Sequence, residues 1–116
     1  TPVGSVFFAF DSAVVSDEFH PMLEELLDRI SNDEFKGSIL ITGFADSLGS
    51  SDYNLDLAHR RAKAVSNYLV NNGLDKFLID VESEGRLLTP NILEASKRRV
   101  DIFVKNADMK PVSWID

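Results

Sequence analysis

Asp46 and Arg61 are the two residues whose types and spacing could do chemistry together. Asp46 lies in a polar, glycine-containing turn directly after the apolar run Ile39, Leu40, Ile41. Arg61 follows fifteen positions later, among residues that otherwise read as the buried stripe of a helix: Leu57, Ala58, Ala62, Val65, Tyr68 and Leu69. A carboxylate at a strand's end and a guanidinium on the next helix can grip a zwitterion from two sides. A guanidinium on an inward stripe must meet an anion, because a buried unpaired charge is too costly to keep. Arg61 therefore forms either an internal ion pair, with Asp46, Asp11 or Asp101, or a bidentate contact to a ligand carboxylate in a partly open pocket. Asp46 has the same two options, an Asx-turn to its own backbone or a ligand ammonium at the carboxyl end of a strand. Asn54, in the first turn of the helix, either adds a capping contact or orients one of these partners.

The elements that must position these groups follow from periodicity. Residues 5–10 (S-V-F-F-A-F) predict a strand, and residues 18–30 place Phe19, Met22, Leu23, Leu26, Leu27 and Ile30 at helical steps. Residues 38–44 predict a central strand. A helix over about 52–72 follows, capped by Ser50 or Ser51 and closed by Gly73. Ile79, Val81 and Ser83 alternate with Asp80, Glu82 and Glu84, which predicts a strand over 78–84 with one wet face. Residues 91–97 predict a helical turn or two, and 99–104 a fourth strand with Val100, Ile102 and Val104 on one face. The fold class is α+β: a βαβαβ(α)β sandwich with helices packed on a small mixed four-stranded sheet. Length predicts a single domain over 1–116, its core about 5–104, with 105–116 an irregular tail that includes Trp114.

Composition narrows the function classes. With 44% hydrophobic and 27% charged residues the chain is an ordinary globular sequence, and no stretch approaches a membrane span. The net charge of −7 argues against nucleic acid and anionic lipid as partners. An anionic ligand then requires a locally positive pocket. Zero cysteines remove disulfides and thiolate metal sites. His20 and His59 have no ligand-like spacing, Leu48 and Gly49 break the order of a calcium loop, and no nucleophile elbow or HExxH occurs. We expect no metal, no cofactor and no enzyme activity. The chain starts at Thr1, and we expect it to be part of a longer protein.

The run T-G-F-A-D-S-L-G-S-S-D-Y-N-L-D-L-A-H-R-R-A-K-A-V (42–65), with K-R-R-V-D-I (97–102), Phe10-Asp11-Ser12, Tyr68-Leu69 and Gly73, resembles the OmpA-like peptidoglycan-binding domain. The resemblance covers roughly residues 6–104. It implies a periplasmic module that holds the peptidoglycan stem peptide through meso-diaminopimelate, whose free end carries an ammonium and a carboxylate. Asp46 would take the ammonium and Arg61 the carboxylate, with Asn54, Arg98 and Asp11 completing the ligand-binding set. The parent protein would be membrane-attached, and a homodimer is compatible with the family. The sequence departs from the family pattern at Phe44 and Ala45, where histidine and threonine stand, and at Leu93, Glu94 and Lys97. These departures keep an alternative open, an interaction or dimerisation module of a stator or secretion complex whose peptidoglycan binding is weakened or lost.

Overall fold

The computed structural model describes residues 2–32, 37–45, 50–86 and 94–105. Among the described residues the strands and α-helices follow in the order β1 (Gly4–Phe7), α1 (His20–Ser31), β2 (Ser38–Ala45), α2 (Ser51–Asn71), β3 (Ile79–Arg86), the short α3 (Glu94–Lys97) and β4 (Arg99–Lys105). The strands form one sheet in the order β1-β4-β2-β3. β2 runs parallel to β3, across the α2 connection, whereas β4 is antiparallel to both β1 and β2. The α+β class, with helices on a mixed four-stranded sheet, is the one the periodicity predicts.

Strand alternation decides which residues form the core. Val6, Ile39, Ile41, Val100 and Ile102 share one face and meet Met22, Leu23 and Leu26 of α1 and Ala62, Val65 and Leu69 of α2 in a single cluster. On the opposite face Ser5, Asp101 and Thr42 stand side by side in register. There the Ser5 hydroxyl donates to Asp101 (2.7 Å), and Arg99 Nε donates to both oxygens of the same carboxylate (3.1 and 3.2 Å). Asp101 thus has partners on the face away from the helices, which removes it from the candidate partners of Arg61.

Element ends depart from the periodicity in instructive ways. β1 stops at Phe7, short of residue 10, because the chain turns at 9–12: Ser12 N–H bonds to the Ala9 carbonyl (3.2 Å) and Asp11 adopts φ 54°. A 3₁₀ turn at Asp17–Phe19 leads into α1, whose first turn holds Pro21 where a missing N–H costs little. β3 runs two residues past the expected end, through a bulge where Ser83 pairs with Gly43 and Gly85 with Phe44. Of the predicted helical stretch 91–97, α3 occupies Glu94–Lys97; residues 91–93 and the tail 106–116 lie outside the described residues.

α2 has a definite start and stop. Ser50 is the N-cap, its hydroxyl accepting the Tyr53 N–H (3.2 Å), and Gly73 follows the helix at φ 111°, a conformation that a side chain would strain. Ser50→Ala should lower stability by about 1 kcal/mol. A urea titration followed by circular dichroism checks this, and an unchanged midpoint would mean that the cap contributes nothing net. At the far side of the core, burial and then Glu24 raise the Tyr68 hydroxyl pKa above its usual value, and the ring stacks on His20 at 4.7 Å.

Candidate functional site

The site is built where the parallel pair β2 and β3 ends, α2 begins and the connection from β1 to α1 passes over both. Sequence supplies the local reasons. β2 runs out of apolar residues at Ala45, Ser50 caps α2, and the aromatic run of β1 gives way to the turn at 9–12.

Arg61 sits at the centre of this end. It occupies the inward stripe of α2 as expected and is fully buried. Its Nε donates to the Ser12 carbonyl (2.8 Å), Nη1 to the Phe44 carbonyl (3.2 Å) and Nη2 to the Ala9 carbonyl (3.2 Å). The guanidinium carbon also lies 5.4 Å from the centre of the Phe8 ring, within cation–π range. One side chain of α2 thereby ties the 9–12 turn to the end of β2. These three bonds use three of the five N–H groups of the guanidinium.

The other expected ligand groups are placed as follows. Asp46 lies outside the described residues, two positions beyond Phe44, whose carbonyl Arg61 holds. Asp11 is exposed, at the third position of the turn that Arg61 braces. Asn54 is buried, and its side-chain amide donates to the Ser50 carbonyl (2.9 Å), so it supports the start of α2. Arg98 is half-buried, with Nε donating to the Phe8 carbonyl (3.0 Å). It lines a cleft of about 720 Å³ that also includes Phe7, Ser12, Val14, Asp17 and Ser96. Asp11, Arg61 and Arg98 are therefore brought to one end of the molecule.

The departures from the family pattern also find places. The Phe44 ring lies on the helix-free face of the sheet, with the Arg99 guanidinium 4.9 Å from its centre, and Ala45 is wholly buried. Lys97 is buried at the end of α3. Arg61 and Arg98 both reach the segment at Phe8, whereas Arg99 is paired with Asp101 on the helix-free face.

Sequence reasoning misses the carbonyls of Ala9, Ser12 and Phe44 as functional groups. No side-chain type could have revealed them, because every residue carries the same acceptor. Among the described residues no cluster of His, Asp and Glu suits a metal ion. His59 instead faces the Ser83 hydroxyl at 3.4 Å.

Known proteins share this architecture. The peptidoglycan-associated lipoprotein of Burkholderia pseudomallei superposes with a TM-score of 0.77 at 32% identity, covering 85% of this chain and 87% of that one. The cell wall anchor of the T6SS from Pseudomonas aeruginosa gives 0.64 at 30% identity, covering 85% and 76%. The periplasmic domain of Helicobacter pylori MotB shares the fold, with a TM-score of 0.72 at 22% identity and coverage of 90% and 71%. In sequence, outer membrane protein A of Escherichia fergusonii is 34% identical over 101 residues, 84% of this chain and 42% of that protein. The chain thus spans less than half the length of that relative. The sequence model of the OmpA family matches residues 7–100, which takes in both long helices and the arginines of the site. With that match and the shared fold, the chain belongs to the OmpA family.

Proposed function

We propose that this domain binds peptidoglycan non-covalently in the periplasm, holding the diaminopimelate residue of the stem peptide and anchoring a membrane-attached parent protein to the cell wall. The family is a binding module and not an enzyme. The observation that carries the proposal is the gathering of Asp11, Arg61 and Arg98 at one end of an acidic domain, where β2 ends one residue before Asp46 in sequence. The ligand offers an ammonium and a carboxylate on one carbon; Asp46 and Asp11 suit the first and the arginines the second, with Asn54 bracing the start of α2. The likeness to a peptidoglycan-associated lipoprotein and to a cell wall anchor supports this reading. Affinity for a single stem should be modest, with many copies along a polymeric wall supplying avidity.

Sedimentation with purified peptidoglycan tests the proposal. The wild-type domain should pellet with the wall, whereas Asp46→Ala and Arg98→Ala should stay largely in the supernatant with native circular dichroism. A wild-type domain that remains in the supernatant would instead support an interaction or dimerisation module. The departures at Phe44, whose ring lies under Arg99, and at buried Ala45 favour that second reading.

A further inference from the structure

We infer that the end of the domain away from the arginine cleft pairs with a second copy of this chain, Phe77 of each copy filling an apolar groove on the other. The inference stands apart from the wall-binding reading. Three features of the structure lead to it.

The first is a groove of about 420 Å³ where α1 and α2 end. Leu27, Ile30, Leu74 and Leu78 line it, with the carboxylates Asp28 and Asp75 beside them. Leu27, Ile30 and Leu78 are half-buried, packed on the core from one side. A benzene ring occupies a cavity of about 150 Å³, so the groove has room for an aromatic side chain.

The second feature is Phe77, next to this groove and 85% exposed. Single exposed apolar residues are ordinary, but this one adjoins Leu78 and the rest of a half-exposed apolar surface. Its own chain holds it out. Lys76–Leu78 is a 3₁₀ turn capped by Asp75, whose carboxylate accepts the Phe77 N–H (3.0 Å). Three residues complete one turn of such a helix, so Asp75 and Leu78 fall on one side, and both line the groove. Phe77, one residue before Leu78, is turned about 120° from that side. Its ring can enter such a groove only on another molecule.

The third is charge. Lys76 is exposed, with its ammonium 5.4 Å from the centre of the Phe77 ring, so a positive charge accompanies the knob. Asp28 and Asp75, both exposed, put negative charge on the groove. A knob and a hole side by side, with opposite charges, are what a two-fold pair requires, since each copy then gives and receives the same contact. An unrelated partner would use only one half of this face. α1, twelve residues long, begins beside Asp17 and Glu18 of the arginine cleft and ends at the groove. Its length of about 18 Å separates the two, so pairing here leaves that cleft open in both copies.

Two aromatic anchors in two small grooves make a weak interface, with Kd on the order of 100 µM. Analytical ultracentrifugation of the full chain, from about 10 µM to about 1 mM, should therefore show a monomer–dimer equilibrium. The methyl resonances of Leu27, Ile30 and Leu78 should shift over the same range. Phe77→Ala, at an exposed position, should weaken association at least about tenfold while keeping a native circular dichroism spectrum. Lys76→Glu and Asp28→Lys should each weaken it as well, because each sets like charges across both contacts of the pair. Mixed in equal amounts, these two variants should associate again, since a mixed pair restores opposite charges at both contacts. Should Phe77→Ala fail to fold, the wild-type series and the charge mixture decide the matter. A chain that stays monomeric to about 1 mM would leave the groove to an unrelated partner and overturn the inference. So would a dimer that Phe77→Ala leaves unchanged, or charge variants that do not recover on mixing. None of these outcomes depends on peptidoglycan.

Discussion

Gly43→Ala should cost the domain a large share of its stability. A Cβ at this position would stand 2.0 Å from the Ala58 carbonyl oxygen, 2.9 Å from its carbon and 3.2 Å from the Ala62 Cβ. The first two are helix backbone, which has no rotamer with which to move aside. Relief would come only by lifting α2 from β2, and α2 buries Leu57, Ala58, Arg61, Ala62 and Val65 against that sheet. Over-packing a well-packed core costs about 1–3 kcal/mol and more where backbone must shift. A domain of this size has about 5–15 kcal/mol in total. We expect a loss of at least about 3 kcal/mol. The glycine is required by space rather than by dihedral angle, since Gly43 is not among the residues with positive φ. Urea unfolding followed by circular dichroism reads the effect, and a wild-type midpoint would show that the helix and strand are not in the close contact described.

Arg61→Met should be the second large effect, and it separates two roles that binding assays alone confuse. A residue whose only task is to touch ligand can be replaced with little effect on folding. Arg61 has a second task, because its removal strips donors from the carbonyls of Ala9, Ser12 and Phe44 at once. Each buried acceptor left without a partner costs about 1–3 kcal/mol, although the Ala9 carbonyl, on an exposed residue, can turn to water. Methionine fills much of the vacated volume, which limits the cavity term, and the cost of burying a charge disappears. The balance should be a loss of about 3 kcal/mol. Equilibrium unfolding measures it, and hydrogen exchange should place the loosening first at residues 9–12. A stability within about 0.5 kcal/mol of wild type would mean that the three bonds contribute nothing net.

How far these two effects could have been foreseen differs between the residues. Arg61 announces itself: the 3.6-residue period of α2 puts a guanidinium among Leu57, Ala58, Ala62 and Val65, and nothing but an acceptor can compensate it. Gly43 gives no such signal. In the run I-T-G-F-A it reads as an ordinary strand position, and only the crossing of α2 over β2 at Ala58 makes a methyl group intolerable. Asp101 stands between. Strand alternation with Val100 and Ile102 already places it on the face away from the helices, yet its partner Ser5 comes from pairing β1 with β4, ninety-six residues away in sequence.

The chain by itself determined its periodic elements, the caps of α2, the buried stripe that carries Arg61 and the family likeness of residues 42–65, because all of these depend on neighbours within a few turns or strands. Tertiary structure alone decided the strand order β1-β4-β2-β3, the close passage of α2 over Gly43 and the choice of carbonyls that receive the guanidinium. The reason is physical: backbone acceptors are the same at every position, so which of them meets a given side chain is set only when distant segments pack.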